Sequence, residues 1–180
     1  MSGTNPNLRR ASALSGFTLV EMMIALAIFA ILAAIALPAF DSFIQGSRLR
    51  TYANDFAAAA RLARSEALKR NGPVQLCKSA NGTSCNVSGS WEQGWIVLAA
   101  GPNNTFGNSD DVLVRAWPAA GSGYRLTAAA NNLVFQATGL GPGMTAEVCR
   151  SAPLGTSKRI VSISTLGRTG VKVASTSSCP

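Results

Sequence analysis

Three groups of residues in this sequence have the types and spacing to do chemistry. The first is Gly16-Phe17-Thr18-Leu19-Val20-Glu21, where a lone carboxylate stands inside an otherwise apolar run. A carboxylate in a membrane-spanning helix costs about 2.5 kcal/mol or more, so it calls for a partner or a function. A cut between Gly16 and Phe17 would give Phe17 a free α-ammonium one helical turn from Glu21. That group, on the same or a neighbouring subunit, would neutralise the carboxylate in a low dielectric. The competing reading is a plain single-pass anchor with an incidental glutamate. The second group is the four cysteines, Cys77, Cys85, Cys149 and Cys179. An even count in an exported domain reads as disulfides, and four cysteines permit three pairings. Cys77–Cys85 as a local loop closure and Cys149–Cys179 as a tie on the C-terminal tail is the favoured pairing; the other two stay open. Zinc is the rival, but no Cys-x-x-Cys pair is present. The third group is basic: Lys158, Arg159, Arg168 and Lys172. Converging on one edge, they would contact phosphates without reading sequence. The alternative has Gly167 and Gly170 shaping a tight turn with Arg168 solvated at its tip.

Other chemistries have little to work with. There is no histidine, which removes the commonest general base, the commonest zinc ligand and every Ser-His or Cys-His nucleophile pair. The eight acids include one adjacent pair, Asp110-Asp111, and no glycine-rich phosphate cradle appears. The loop 101–111, with Asn103, Asn104, Asn108, Asp110 and Asp111, lacks the carboxylate alternation and bidentate glutamate of a calcium loop and reads as a polar turn. No enzyme, no metal and no cofactor is expected. Net charge is +8, to which Arg9 and Arg10 contribute two, so the remainder is still basic. Such a surface suits polyanions or anionic lipid, or serves solubility alone.

The elements that must position these residues follow from hydropathy. Residues 1–16 are polar and free of acids, and carry Arg9 and Arg10. Residues 17–37 are apolar apart from Thr18 and Glu21, and as a helix they span the roughly 30 Å of a bilayer core. Ordinary signal peptides have a shorter apolar stretch cut on its far side; here the plausible cut precedes it. The leader arginines should stay in the cytoplasm, which places the chain beyond Leu37 outside. Pro38 removes a helical hydrogen bond, so a kink or local loosening is expected there; it would also suit a membrane exit. Over 38–71 the apolar residues Phe40, Ile44, Leu49, Tyr52, Phe56, Ala59, Ala63 and Ala67 form an amphipathic stripe. Arg48, Arg50, Arg61, Arg64, Glu66 and Arg70 mostly fill the other faces. Asn71-Gly72-Pro73 ends the helix. Beyond it, 72–180 reads as one β-rich domain, with strands expected at 74–78, 95–99, 112–117, 124–128, 133–137, 145–149, 159–165 and 171–174. The class expected is α+β.

The glycine, phenylalanine and glutamate at this spacing, after a basic leader and before an apolar run, resemble the prepilin (class III) signal. That resemblance implies a prepilin peptidase that cuts after Gly16 and methylates Phe17. It also implies a spine that bends at Pro38 as subunits pack through Glu21. The body resembles the GspH/FimT family of minor pilins and pseudopilins in Ala63-Arg64-Ser65-Glu66-Ala67, Trp91-Glu92-Gln93-Gly94-Trp95 and Gly167-Arg168. With the leader, this likeness covers nearly the whole chain. It implies the pilin fold: a long N-terminal helix, membrane-spanning in its first half, on a C-terminal antiparallel sheet domain. It further implies a non-enzymatic subunit of the inner membrane, N-terminus cytoplasmic and C-terminal domain periplasmic, assembled with other pilins. The expected role is a minor pilin of a type IV pilus (assembly initiation or tip, with DNA binding in some members), or alternatively a type II secretion pseudopilin. DNA-binding relatives carry Gly-Arg-x-Arg, whereas here Gly170 stands at the second arginine, with Lys172 two residues later. Trp91 and Trp95 are expected to pack a core edge, and Glu66 or Arg64 to pair with the sheet.

Overall fold

The computed structural model describes residues 16–86 and 88–179, and only the backbone of Leu37, Pro38, Ala39 and Ser42. The expected leader lies outside the described residues apart from Gly16, and so do Arg9 and Arg10. The chain forms two compact units, residues 1–42 and 43–180.

α1 (Leu19–Arg70) is 52 residues long and contributes to both units. Helix is continuous through position 38, where an interior proline gives up one backbone donor. In the first unit, Leu19–Ala36 has mean hydropathy 2.6 and no buried residue, so it is apolar all round. By length and composition it is the one helix among the described residues able to cross a membrane. At the other end Asn71 takes a left-handed φ of 51°, and Gly72 N–H donates to the Ala67 carbonyl at 3.2 Å. That six-to-one bond is a Schellman cap, and Pro73 then prevents any extension.

In the second unit α1 lays Leu49, Ala53, Phe56, Ala60, Ala63 and Ala67 against the sheets. Steps of three and four put these residues on one face. The expected stripe began earlier, but Phe40 and Ile44 are exposed and cover starts at Leu49. A segment that is apolar all round also shows that period, so the pattern could not mark where packing begins.

Two antiparallel four-stranded sheets complete the unit. The first comprises β1 (Val74–Lys78), β2 (Trp95–Ala99), β3 (Val112–Trp117) and β5 (Asn132–Phe135), in spatial order β3-β2-β1-β5. The second comprises β4 (Tyr124–Ala128), β6 (Met144–Arg150), β7 (Ser157–Ile163) and β8 (Thr169–Ser175), in order β4-β6-β7-β8. β1 to β4 have the expected bounds. β5 stops short because Gly139 N–H donates to the Gln136 carbonyl and Gln136 N–H to Leu140, closing a turn. β7 stops at Ile163 because Ser164 opens the next turn, and β8 therefore starts at Thr169, earlier than expected. The fold is thus α+β, a helix packed on antiparallel sheets.

Its centre is Phe56, whose ring meets Trp91 edge-on at 5.1 Å and Trp95 at 5.6 Å. Edge-to-face packing of this kind adds about 0.5–1.5 kcal/mol per pair beyond burial. The two tryptophans therefore lie at the middle of the core, not at its edge.

Candidate functional site

The head of α1 is built by Thr18. Its carbonyl accepts the first helical bond, from Met22 N–H at 3.2 Å, and its hydroxyl accepts from Glu21 N–H at 3.2 Å. Thr18 is therefore the N-cap and Glu21 the N3 residue, the spacing of a Thr-x-x-Glu capping box. A negative group there also complements the partial positive charge of the helix N-terminus. Gly16 and Phe17 precede the helix, and Phe17 is 80% exposed. Gly16-Phe17 is thus a non-helical, exposed peptide joined to a helix start that places Glu21 in its first turn. The Pro38 side chain lies outside the described residues.

Trp91-Glu92-Gln93-Gly94-Trp95 joins the two sheets. A short 3-10 turn (Trp91–Gln93) leads into β2, and Gly94 has φ 115°. A Cβ on Gly94 would stand 2.9 Å from the Trp117 carbonyl oxygen, so only glycine fits. Glu92 reaches across to β4, accepting from Arg125 Nη1 at 2.9 Å and Leu126 N–H at 3.4 Å. Burial pushes the Glu92 carboxyl up, but bonds from Ser90, its own N–H, Arg125 and Leu126 outweigh it and hold the group below the usual range. Lys78, itself buried, donates from Nζ to the Gly89 carbonyl at 2.7 Å and ties down the loop ahead of the turn.

The cysteines form Cys77–Cys85 and Cys149–Cys179. The first packs with Ile96 and Leu98 on the outer face of the first sheet. The second fixes the tail to β6. Among the described residues no group of His, Cys, Asp and Glu could hold a metal ion. In the 101–111 loop, Asp111 accepts from Gly107 N–H and Asp110 from Asn103 Nδ2, so these side chains brace their own turn.

The four basic residues do not converge. β7 buries Val161 and Ile163, so its odd positions face the core. Arg159 shares that parity and sits opposite Val173; Lys158 points the other way, opposite Ala174. Lys158 is also committed to Glu147 at 2.8 Å. Lys172, opposite Ile160, shares the outer face with Lys158, and Arg168 lies in the β7–β8 turn. That turn closes with Gly167 N–H on the Ser164 carbonyl, at 2.8 Å. Gly167 takes φ 71°, while Gly170 sits inside β8 opposite Ser162 and takes no part in the turn. Glu66 does not pair with a sheet: Arg70 at 2.7 Å and Lys69 at 3.7 Å on its own helix hold it. The Arg70 hydrogen bond chiefly lowers its carboxyl below the usual range. Arg64 reaches instead the loop after β5, donating from Nε to the Gly139 carbonyl at 3.2 Å. Neither Thr18 nor Arg61 was singled out from the sequence. The capping spacing was readable for Thr18; Arg61 donates to Thr169 at 2.8 Å across a chain separation that no local pattern reports.

The profile of the type II transport protein GspH matches residues 52–167, and a prokaryotic N-terminal methylation motif matches residues 14–37. Fimbrial protein EcpC of Eikenella corrodens is 39% identical over 88 residues, covering 49% of this chain and 57% of that protein. Fimbrial protein Q of Moraxella bovis is 43% identical over 76 residues, covering 42% of this chain and 48% of that one. The chain thus spans about half the length of these relatives. In three dimensions it is similar to the type IV minor pilin FimU of Pseudomonas aeruginosa, with TM-score 0.57 at 18% identity, over 77% of this chain and 99% of that one.

Proposed function

Because this chain belongs to the GspH family, whose members are structural subunits and not enzymes, we propose that it is a minor pilin of a type IV pilus. In this reading residues 1–16 are a leader removed by a prepilin peptidase, Phe17 becomes the methylated N-terminus, and 17–37 anchors the subunit in the inner membrane before assembly. Residues 38–71 continue the helix and 72–180 form the periplasmic domain. The observation that carries it is a lone carboxylate, Glu21, at the head of a helical stretch, Leu19–Ala36, that buries none of its residues. Such a helix needs a lipid or protein surround, and a charge inside it needs a counter-charge. The Phe17 ammonium of the same or an adjacent subunit supplies one. Pro38 lets the rod adjust as helices pack.

Intact mass tests the processing. The expected product starts at Phe17, with one added methyl group and four hydrogens lost to two bridges. A mature product that keeps its first sixteen residues overturns the reading.

A second reading, a minor pseudopilin of type II secretion, is favoured by the family profile itself. Deleting the gene separates the two: loss of surface pili supports the first, and loss of protein secretion with pili intact supports the second. A nucleic-acid role resting jointly on Lys158, Arg159, Arg168 and Lys172 has less support, since strand alternation divides them and Glu147 holds Lys158.

A further inference from the structure

An antiparallel sheet leaves a row of unpaired backbone groups along each outermost strand, and folded chains usually blunt such edges. Three of the four edges here are blunted. Along β4 the Glu92 carboxylate accepts from Leu126 N–H at 3.4 Å. β5 is four residues long and runs into the turn closed by Gln136 N–H on the Leu140 carbonyl. β3 carries an extra residue, Val114, between the partners of Val97 and Leu98, a bulge that bends it.

β8 has none of these devices. It runs seven residues in unbroken register with β7 and contains no proline. Ser164 N–H donates to the Arg168 carbonyl at 2.9 Å and Thr176 N–H to the Thr156 carbonyl at 3.0 Å. Alternation between these two ends of the ladder turns the backbone of Gly170, Lys172 and Ala174 toward β7. The N–H and C=O groups of Val171, Val173 and Ser175 therefore point outward. The tail leads away from them, since Cys179 ties it to Cys149 on β6, two strands in.

Side chains of the same strand are uncovered too. Val171 and Val173 share a face with the buried Val161 and Ile163, yet Val171 is 38% and Val173 69% exposed. Cover over this face ends short of the rim. On the other face Lys172 stands between Gly170 and Ala174, with no carboxylate partner among the described residues. From Val112 onward the sequence holds seven lysines and arginines and one acid, Glu147, which Lys158 already engages.

We propose that β8 is a docking edge for an extended segment of another protein, in which an acidic residue is flanked by β-branched ones. Such a segment adds a strand to the sheet. Its backbone pairs with Val171, Val173 and Ser175, its apolar side chains cover the two valines, and its carboxylate lies beside Lys172. A second copy of this chain is the poorer occupant, because β8 against β8 sets a basic edge against itself. The inference rests on the second unit alone and does not use the filament reading.

The test uses the full chain in uncharged detergent micelles and two β-hairpin peptides, whose outer strand reads Thr-Val-Glu-Val-Thr or Thr-Val-Lys-Val-Thr. A hairpin is held extended before it binds, so little affinity is lost to ordering. Amide hydrogen exchange is followed by NMR. Without peptide, Val171 and Val173 should exchange fast and Lys172 slowly. At about 1 mM the glutamate peptide should slow Val171 and Val173 about tenfold, as a Kd of about 0.1 mM gives. The lysine peptide should bind about threefold more weakly, and Lys172→Glu should reverse that order. Val173→Pro removes an outward donor and no bond to β7, so it should abolish the protection at Val171 while Lys172 stays slow. Equal binding of the two peptides, protection that survives Val173→Pro, or no protection by either peptide would each overturn the proposal. So would protection of these amides that rises with protein concentration alone, which assigns the edge to a second copy.

Discussion

Glu21 combines two roles that a single substitution to alanine would confuse. At N3 of a helix capped by Thr18 it supports the helix start, and in an apolar surround its charge needs neutralising. Glutamine serves the capping spacing as well as glutamate does but carries no charge. Glu21→Gln should therefore leave helix content unchanged and sharply reduce incorporation into filaments, measured in sheared filament fractions. Thr18→Ala should cost about 1 kcal/mol at the helix end and leave incorporation near normal. The reverse pattern would reduce Glu21 to a helix-starting residue. The same dual reading was available in the sequence, because Thr18 and Glu21 stand at capping-box spacing. The apolar run that follows drew attention to charge instead. Arg61 and Arg64 are the opposite case. As letters they are helix-surface arginines, and only the return of the chain at 167–169 gives them a shared groove.

At the scale of elements, the joint between the sheets depends on Glu92. Its carboxyl titrates below the ordinary 4.5 in the folded chain. Its stabilising share is therefore complete above the unfolded-state pKa and is lost as pH falls through the lower folded-state value. Chemical denaturation should show Glu92→Gln less stable than the parent by about 1 kcal/mol at neutral pH. The gap should close in acid below 4.5; a gap that stays constant to pH 2 would rule out the charge as its cause. The Cys149–Cys179 tie is similarly separable. Replacing both with serine should lower stability by about 2–4 kcal/mol and loosen the tail beyond β8. Strand positions were largely readable, since Gly, Pro and Asn clusters bound runs of β-branched residues. Their ends were less so: β7 and β8 are set by the Ser164–Arg168 turn, whose closure depends on hydrogen bonds absent from any composition signal. Lys158 and Arg159 lie on opposite faces of β7 for a reason already in the sequence. Neighbours in a strand face opposite ways.

For the whole molecule, the two units have different requirements. Among the described residues, every buried core residue comes from Leu49 or later, while residues 19–36 bury nothing. A fragment of residues 43–180 should therefore stay soluble without detergent and melt within a few degrees of the full chain in micelles, as followed by near-ultraviolet circular dichroism. A fragment that remains unfolded would mean the first unit supplies stability that its own burial does not suggest. The division was legible as a change from all-round to one-sided hydrophobicity; its placement was not, because both patterns share a period across residues 40–49.

Within the second unit, α1 presents a row of alanines, Ala53, Ala57, Ala60, Ala63 and Ala67, to the sheets. Such a seat reverses the usual penalty of a core. Trimming Ala60 to glycine should cost only about 1 kcal/mol, whereas enlarging it to leucine should cost up to about 3 kcal/mol, because the strands would have to lift away. Close seating also removes any freedom for this stretch to roll about its own axis. Its outward side keeps one bearing, as a keyed shaft does in its hub, and a twist applied to the shaft is passed to the sheets without slip.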